Sequence, residues 1–349
     1  KYQFFGGRAE EVEKRTKVKA RVVAHALEKL IKESSKVMIM GHANPDIDSM
    51  GASIGVYRLV RSLEKNAYII TSNNPTLQSF RESLLEEAEY EDVLISKEVA
   101  EENMDENTLL VVVDTHKVNY VESENVLAKA NKIVIIDHHR RSADYIENAT
   151  LTFQEVYASS AAELVTELLQ YADVNVELKK VEAESLYAGI MMDTKSFTFK
   201  TGVRTFEAAA YLRKCGVDII RVKKWFQSDL QSFSKIAEIV KSAELVNDTI
   251  AIAINSELTE DASLLCAKAA DELLTISDVT ASFVLGNIGE RVCISGRSIG
   301  DINVQIILEK LGGGGHITLA GAQVEGKSIE EVKQQLIVKI NEYFSEIES

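Results

Sequence analysis

Short apolar runs alternate with longer helical patterns between residues 36 and 200, and this alternation restricts the fold more than any other feature of the chain. Apolar runs of this length indicate buried strands, whereas the stretches between them repeat apolar residues at helical intervals. The alternation predicts a parallel β-sheet with helices on both faces. The apolar runs are KVMIM (36–40), NAYIIT (66–71), TLLVVVD (108–114) and NKIVIID (131–137), and the helical patterns include residues 49–65 and 160–172.

A second unit with its own strands and helices follows from about residue 249. Its order of elements predicts a smaller, mixed α/β domain at the C-terminus. Strands are predicted at 249–254, 280–287 and 291–298, helices at about 263–275 and 302–311, and a further strand and a C-terminal helix after the stretch LGGGGH.

Helical stretches flank the first unit on both sides. Residues 1–35 carry one charged, amphipathic pattern with no strand before it, and we interpret them as a linker helix at the tail of an upstream domain. Residues 204–246 are mostly helical, contain Trp225 and Phe226, and are predicted to form a stiff helical linker. The predicted domains are therefore 1–35, 36–203, 204–246 and 247–349.

The charge balance excludes a general attraction to long nucleic acids, because 39 basic residues stand against 54 acidic ones and the net charge is −15. An anionic substrate must therefore be captured by local groups.

Cys215, Cys266 and Cys293 are too far apart for a disulfide framework or a thiolate zinc site, and they indicate a reducing cytosol. No apolar run approaches the roughly 18 residues of a membrane span. Since the first residue is Lys1, we expect a piece of a longer protein.

Ionisable side chains concentrate where the predicted strands of the first unit end. The first strand is followed by His42, Asp46 and Asp48, and then by a helix whose N-cap is predicted to be Asp48 or Ser49. Loops at the carboxyl ends of parallel strands form the ligand crevice, so these side chains are expected to meet. The ends of the next two strands and of the helix AESLYAGIMMD add Asp114, His116, Asp137, His138, His139 and Asp193.

Each of these residues has an ordinary structural explanation when it is taken alone. A single aspartate after a strand is more often a helix cap or an Asx-turn, and a single histidine is more often a hydrogen-bonded structural residue. The set is different, because carboxylates at adjacent strand ends repel one another unless a cation lies among them. Asp193 would also be an unfavourable anion at a helix C-terminus without such a cation.

The donor types in this set predict a pair of metal ions. Carboxylates and imidazoles without thiolates suit Mn²⁺, with Mg²⁺, Co²⁺ or Fe²⁺ as less favoured occupants. The set is too large for one ion that also binds substrate, whereas two ions roughly 3.5–4 Å apart that share a carboxylate fit it and form a known device for phosphoester hydrolysis. In this arrangement Asp137 orients an imidazole, His138 binds metal, and His139 with Arg140 faces a substrate phosphate.

The glycine-rich stretch of the second unit has two interpretations. Four glycines after a helix, Gly312 to Gly315, are ordinarily a C-cap and a loop. Without Cβ atoms they also let backbone N–H groups approach an anion closely. The neighbouring residues favour the second interpretation, so a phosphate and nucleotide site is predicted at Arg297, Ser298, Gly313, Gly314, Gly315 and His316.

Five stretches resemble the DHH phosphoesterase superfamily, in the order in which that family carries them. GHANPDIDSMGA, VVVDTH, IDHHRR and GIMMDT are similar to its four motifs, and GRSIGDINVQIILEKLGGGGHITLAGAQ is similar to its DHH-associated C-terminal domain. The resemblance covers about residues 36–349. Within the family, DTH at 114–116 and the helical stretch KARVVAHALEKLI are most similar to the cytosolic catalytic part of GdpP-type cyclic di-AMP phosphodiesterases.

The resemblance implies a role for each matching residue. A water between two Mn²⁺ ions per chain would attack phosphorus, and His116 and His139 would contact the scissile phosphate or protonate the leaving oxygen. The dinucleotide would lie in the cleft between the domains, with its second phosphate near Arg297, Ser298 and His316. The ligands implied are His42, Asp46 and Asp114 for one ion and Asp48, Asp114, His138 and Asp193 for the other, with Asp114 as the bridge.

The implied function is hydrolysis of cyclic di-AMP to linear 5′-pApA, with cyclic di-GMP as a weaker substrate. The resemblance also implies a homodimer, for which the unpartnered N-terminal helix and the exposed-looking Trp225 and Phe226 give further grounds. Proteins of this type carry transmembrane helices, a PAS-like sensor and a degenerate GGDEF domain upstream. The parent protein is therefore expected to be anchored in the cell membrane, with this catalytic part in the cytoplasm.

Two alternatives come from different classes of protein. One is an oligoribonuclease and 3′-phosphoadenosine-phosphate phosphatase, which shares both domains. The other is a catalytically inactive cyclic-dinucleotide sensor, which is disfavoured because no motif position is broken. A pyrophosphatase of the same family is disfavoured because the glycine-rich loop belongs to the branch that cleaves nucleotides. The sequence does not determine base specificity or the preference for cyclic over linear dinucleotides.

Overall fold

The structure is a computed structural model that describes residues 17–227, 229–257 and 262–348. The chain divides after Gln227 into two compact units. Of the predicted N-terminal linker helix, residues 1–16 lie outside the described part, and the remainder contains helix α1 (Lys17–Lys32). No helix within the described ranges has both the length and the apolar character that crossing a membrane requires.

The first unit contains a six-stranded sheet in which every pairing is parallel. Its strands are β1 (Val37–Met40), β2 (Ala67–Ile70), β3 (Leu94–Ile95), β4 (Leu109–Val113), β5 (Lys132–Asp137) and β6 (Leu151–Gln154), in the order β3-β2-β1-β4-β5-β6. Alternate strand residues enter two apolar clusters, since Val37 and Ile39 belong to one and Met38 and Met40 to the other. The sheet is thus buried on both faces.

Helices cover both faces of this sheet, which confirms the predicted parallel α/β fold. The remaining helices of the unit are α2 (Ile47–Ser62), α3 (Gln78–Leu85), α4 (Lys97–Asn103), α5 (Glu124–Lys129), α6 (Ala161–Tyr171), α7 (Lys180–Asp193), α8 (Val203–Lys214) and α9 (Ile219–Trp225), with 3-10 turns at Pro75–Leu77, Ala88–Tyr90 and Val118–Tyr120. Helices α1, α2, α6 and α7 pack on one face, whereas α4 and α5 pack on the other. The edge strands β3 and β6 are not predicted from sequence, because neither is a continuous apolar run.

The strand order reverses at the centre of the sheet. The chain runs outward from β1 through β2 to β3, and then returns to place β4 on the other side of β1. The loops after β1 and β4 therefore lead in opposite directions and leave a crevice at their carboxyl ends. Strand β5 lies beside β4, so the three strand ends that carry the predicted site are adjacent, as expected.

The first unit itself covers most of two surfaces that were expected to need a partner, although Phe226 stays 38% exposed, as expected. Helix α1 buries Val23 and Leu27 against the core that α6 shares. Trp225 is only 7% exposed, packs edge-on against Phe80, and donates its Nε1–H to Ser83 Oγ at 2.9 Å. The expectation of an exposed Trp225 is therefore wrong, because its apolar ring finds a pocket within its own unit. The homodimer stays a prediction that rests on the resemblance and on the exposed Phe226.

The predicted helical linker, residues 204–246, is divided between the two units. Helices α8 and α9 bury apolar faces in the core of the first unit. Helix α10 (Leu230–Lys241) buries its apolar face in the second unit, and Glu244–Val246 forms strand β7 at the edge of the second sheet. Each helix has an apolar side that packs on the nearest core, so none of them stands alone as a spacer.

The second unit is a mixed six-stranded sheet, as predicted for the C-terminal domain. Its further strands are β8 (Ile250–Asn255), β9 (Ala281–Ile288), β10 (Arg291–Ser298), β11 (Gly314–His316) and β12 (Leu319–Glu325), in the order β11-β12-β10-β9-β8-β7. Only β8 and β9 pair in parallel. Helices α10 and α11 (Ala262–Leu273) cover one face, and α12 (Val304–Glu309) and α13 (Ile329–Glu348) cover the other.

The glycine-rich stretch forms one arm of a β-hairpin and is not wholly an open loop. Strand β11 pairs with β12 in antiparallel register. A Cβ atom on Gly313 would lie 2.3 Å from the carbonyl oxygen of Gly321, and one on Gly315 would lie 2.4 Å from that of Leu319. A Cβ on Gly314 would meet nothing within 4 Å. Two of the glycines are therefore required by the packing of the hairpin itself.

We expect Gly313→Ala and Gly314→Ala to have different effects on folding. Alanine at 313 drives a methyl group into the Gly321 carbonyl, and overpacking of this kind lowers the free energy of unfolding by about 1–3 kcal/mol. Alanine at 314 enters open space and should change it little. Calorimetric unfolding of the two variants measures the difference. Equal stabilities would contradict the packing requirement.

Candidate metal centre

Asp114 lies directly after β4, at the centre of the three adjacent strand ends. Its N–H donates to the carbonyl oxygen of Ile136 at 2.9 Å. Its backbone then turns into the left-handed region, with φ +59, where Asp and Asn are better tolerated than other residues with side chains. The residue is 3% exposed. Its carboxylate therefore has a fixed, buried position between the loops that follow β1 and β5.

His42, Asp46 and Asp114 form a first group, whose candidate ligand atoms all lie within 4.8 Å of one another. His42 Nε2 is 3.4 Å from Asp114 Oδ2 and 3.8 Å from Asp46 Oδ2. Asp46 is also the N-cap of α2, because its Oδ1 accepts the Ser49 N–H at 3.0 Å. The prediction of Asp48 or Ser49 as the N-cap is therefore wrong. Asp46 takes that role because its side chain reaches the third helical N–H.

Asp48, His138 and Asp193 form a second group of the same kind. His138 Nε2 lies 3.1 Å from Asp193 Oδ2 and 3.9 Å from Asp48 Oδ2. It is also 3.3 Å from Asp114 Oδ1, so the central carboxylate has one oxygen near each group. The structure thus brings all six predicted metal ligands together in the arrangement of two adjoining clusters.

Helix α6 holds the carboxylate of Asp48. Asp48 is fully buried, and its two oxygens accept the N–H groups of Ala161 at 2.7 Å and Ala162 at 2.8 Å in the first turn of that helix. Space for the carboxylate comes from Gly189 on α7, where a Cβ atom would lie 2.8 Å from Asp48 Oδ1. The backbone amides therefore fix the position of this candidate ligand before any ion binds.

Proton binding compensates for the crowded carboxylates. Burial alone would lower the pKa of His42, but the carboxylates of Asp114 and Asp46 outweigh it and raise that pKa to about 11. Burial likewise opposes charge on His138, and Asp114 and Asp193 raise its pKa well above the usual range. Both imidazoles therefore act as cations when protons are the only available counter-charge.

Two atoms at the centre test whether the residues fit a metal. Asp114 Oδ1 and His138 Nε2 are buried, and neither makes a hydrogen bond to any described residue. A buried polar atom without a partner costs about 1–3 kcal/mol. Burial, together with the charges of Asp114 and Asp193, raises the pKa of Asp48. The residues fit divalent cations, which would bind the lone pairs of Asp114 Oδ1 and His138 Nε2 and neutralise the carboxylates. A set of oxygen and nitrogen donors suits Mn²⁺ or Mg²⁺.

Asp137 connects two histidines beside this centre. Its Oδ2 lies 2.5 Å from His116 Nδ1, and its Oδ1 lies 2.8 Å from His139 Nδ1. Because the Ser142 N–H donates to His116 Nε2 at 2.9 Å, the ring of His116 carries its proton on Nδ1. Burial opposes the ionisation of Asp137, but the two histidine hydrogen bonds outweigh it and hold its pKa well below the usual range.

The three predicted catalytic residues have different positions. His116 is 2% exposed with both ring nitrogens bonded, so it positions Asp137, which differs from the predicted contact with substrate. The side chain of His139 is 46% exposed, and its Nε2 has no partner among the described residues. Asp137 orients His139 and has no described hydrogen bond to the ring of the candidate ligand His138. Arg140 is exposed beside them, without a described ion pair.

Three residues that shape the site are not identified by the sequence reasoning. Ser142 fixes the tautomer of His116, and Gln154 donates from Nε2 to the carbonyl oxygen of His139 at 2.8 Å. Tyr120 stacks on the ring of His42. Each belongs to a common residue type in a segment without periodicity. Only Ser142 could have been suspected from the sequence, because it directly follows the motif IDHHRR.

A strained turn follows Asp193 at the end of α7. Lys195, Ser196 and Phe197 have φ values of 45, 57 and 64, which is unusual for three consecutive residues with side chains. The hydroxyl of Thr194 accepts the Phe197 N–H at 2.9 Å and donates to a helix carbonyl at 2.6 Å. The turn is therefore held by hydrogen bonds at the point where the last candidate ligand leaves the helix.

The predicted substrate residues of the second unit lie near one row of its sheet. Arg297 on β10 and His316 on β11 both pair with the same residue of β12, so their side chains share a face. Arg297 is almost buried and donates from Nε to Asp271 Oδ1 at 3.0 Å. Ser298 is buried, whereas Gly314, Gly315 and His316 are exposed. Gly314, Gly315 and His316 are thus the accessible members of the predicted set.

Relatives of known name match almost the whole chain. It is 46% identical over 348 residues to the cyclic-di-AMP phosphodiesterase GdpP of Geobacillus thermodenitrificans and 42% identical over 348 residues to the cyclic-di-AMP phosphodiesterase PdeA of Listeria monocytogenes. Each match covers 99% of this chain and 53% of the relative, so the chain spans about half the length of these curated relatives.

Solved structures and family models agree with the fold. An exopolyphosphatase-related protein from Bacteroides fragilis has a TM-score of 0.78 at 21% identity, over 91% of this chain and 96% of its own. Residues 36–190, which include every candidate ligand except Asp193, match the DHH family, N-terminal domain, and residues 248–346 match the DHHA1 domain. The chain therefore carries a DHH domain followed by a DHHA1 domain.

Proposed function

We propose that this chain is an Mn²⁺-dependent phosphodiesterase that hydrolyses cyclic di-AMP to linear 5′-pApA. The observation that carries the proposal is the buried pair of atoms Asp114 Oδ1 and His138 Nε2. They lie in a cluster of carboxylates, and neither makes a hydrogen bond to a described residue. The names of the relatives that match 99% of the chain support the substrate. A homodimer, a membrane anchor and upstream sensory domains in the parent protein belong to the same proposal.

Two ions per chain are proposed, one for each group of ligands. Asp114 serves both, because its Oδ2 lies on the side of His42 and its Oδ1 on the side of His138. When bound, such a pair neutralises charge on the phosphate and lowers the pKa of coordinated water. The first ion would be held by His42, Asp46 and Asp114, and the second by Asp48, Asp114, His138 and Asp193.

His139, doubly protonated, is proposed to give its Nε2 proton to the leaving 3′-oxygen while its Nδ1–H stays donated to Asp137. Its Nδ1 is held by Asp137, and the two ring nitrogens point in different directions, so Nε2 faces away from that bond. His116 is not proposed for this step, because its Nε2 already accepts the Ser142 N–H. Arg140 would add positive charge beside the phosphate, and His316 with Gly314 would contact the nucleotide.

Product analysis tests the proposal. The chain is incubated with Mn²⁺ and, in separate reactions, cyclic di-AMP, cyclic di-GMP, 5′-pApA and 3′-phosphoadenosine 5′-phosphate. We expect cyclic di-AMP to give 5′-pApA fastest, cyclic di-GMP to react more slowly, and EDTA to stop both reactions. Faster hydrolysis of 5′-pApA or of 3′-phosphoadenosine 5′-phosphate would favour the oligoribonuclease and phosphatase. Binding of cyclic di-AMP without turnover would favour the inactive sensor.

Asp114→Asn should abolish most of the activity and weaken binding of both ions. Asparagine tolerates the left-handed backbone as aspartate does, so the variant removes charge without adding backbone strain. We expect turnover of cyclic di-AMP to fall by at least about a hundredfold, because metal catalysis supplies several kcal/mol. Turnover assays with measurement of bound Mn²⁺ provide the test.

Asp278→Asn is the matched control for this variant. Asp278 is an exposed aspartate in the second unit whose backbone is also left-handed, with φ +69. It should retain normal activity and metal content. Full activity of Asp114→Asn with two bound ions would contradict the assignment of Asp114 as the shared ligand.

Binding of Mn²⁺ should release protons and should tighten as the pH rises. The raised pKa of His42, about 11, means that its imidazole is protonated near neutral pH in the metal-free protein, and a ligand nitrogen must lose that proton. At any pH below this raised value, each pH unit gained therefore favours the ion over the proton. Calorimetric titration in buffers of different ionisation enthalpy counts the protons. Metal binding without proton release would contradict this protonation state.

A further inference from the structure

The ring of His42 is not fixed by a hydrogen bond. Its Nε2 faces Asp114 and Asp46, at 3.4 and 3.8 Å, whereas its Nδ1 is buried and has no hydrogen-bond partner among the described residues. Histidines that bind metals almost always donate the second ring nitrogen to a carboxylate or carbonyl, which sets the orientation of the ring. Some other contact must restrict the rotation of His42.

Tyr120 makes that contact. Its ring lies on the imidazole of His42 with centroids 5.3 Å apart and an angle of 13° between the planes, an offset-stacked geometry. The backbones are tied as well, because the Ala43 N–H donates to the Tyr120 carbonyl at 2.9 Å and the Glu122 N–H donates to the Gly41 carbonyl at 3.0 Å. The stacked ring is therefore held in register with the ligand it covers.

We propose that Tyr120 is a positioning residue for the metal centre: by stacking, it sets the ring plane of His42 and so the direction of the Nε2 lone pair. The inference rests on the proposed function only in that the first ligand group binds a divalent ion. Tyr120 has no place among the metal ligands or the substrate contacts, and its hydroxyl has no hydrogen-bond partner among the described residues. The aromatic face alone carries the effect.

Two variants separate the aromatic face from the rest of the side chain. Tyr120→Phe keeps the stack, whereas Tyr120→Leu removes it and keeps an apolar side chain of moderate size. Tyr120 is 44% exposed, so neither change opens a cavity in the core. Tyr157→Leu is the matched control, because Tyr157 is 39% exposed and makes no described ring contact.

The experiment is calorimetric titration of each metal-free variant with MnCl₂, with His42→Ala to identify which binding step belongs to the first ligand group. We expect Tyr120→Leu to weaken Mn²⁺ binding in that step by about tenfold. Loss of an aromatic pair, or of a residue that orients a metal ligand, has an effect of this size. The other step should not change. Tyr120→Phe and Tyr157→Leu should match the wild type in both steps.

Histidine NMR of the metal-free proteins gives a second measurement. The ring-current shift of the His42 protons should be present in the wild type and in Tyr120→Phe, and absent in Tyr120→Leu. Equal weakening of both steps, or unchanged binding in Tyr120→Leu, would overturn the positioning role while leaving the proposed function intact. A wild type that binds no Mn²⁺ would overturn both. A wild type that binds Mn²⁺ but does not cleave cyclic di-AMP would affect only the proposed function.

Discussion

Repulsion among buried carboxylates is the constraint on which the arrangement of the first unit depends. Two like charges about 4 Å apart repel by about 4 kcal/mol at an effective dielectric constant of 20. Asp114 lies beside Asp46 and interacts electrostatically with Asp48 and Asp193 of the other ligand group. The fold offsets this repulsion in three ways. Backbone amides hold Asp48, imidazoles lie beside Asp114 and Asp193, and two unsatisfied atoms are left for cations.

The topology of the sheet makes this concentration of charge possible. Because β1 and β4 are neighbours from which the chain leaves in opposite directions, short loops can bring their side chains to one crevice without crossing. The local backbone is strained in return, at Asp114 and again in the left-handed turn after Asp193. Such conformations cost roughly 1–2 kcal/mol per residue, and the hydrogen bonds of Thr194 offset part of that cost.

The sequence predicts the sheet and the convergence of the ligands because both follow from regular patterns. Adjacent strand ends must meet, so His42, Asp114 and His138 could be placed together without any coordinates. Side-chain partners outside such patterns could not be inferred. Trp225 is buried by a helix distant in sequence, Gly313 and Gly315 are required by a hairpin partner, and His116 is bonded to Ser142, whose place depends on the path of a loop. Tertiary packing decides these three cases, and no local propensity reports it.

The contact between Asp48 and the first turn of α6 links the chemistry of the centre to local unfolding. The same carboxylate that is proposed to hold an ion also accepts the N–H groups of Ala161 and Ala162. An event that moves Asp48 away therefore leaves two buried amides unsatisfied and loosens the start of the helix. Hydrogen exchange at these two amides thus reports on the occupancy of the centre from a position outside it, since helix ends open with low free energies unless a side chain holds them.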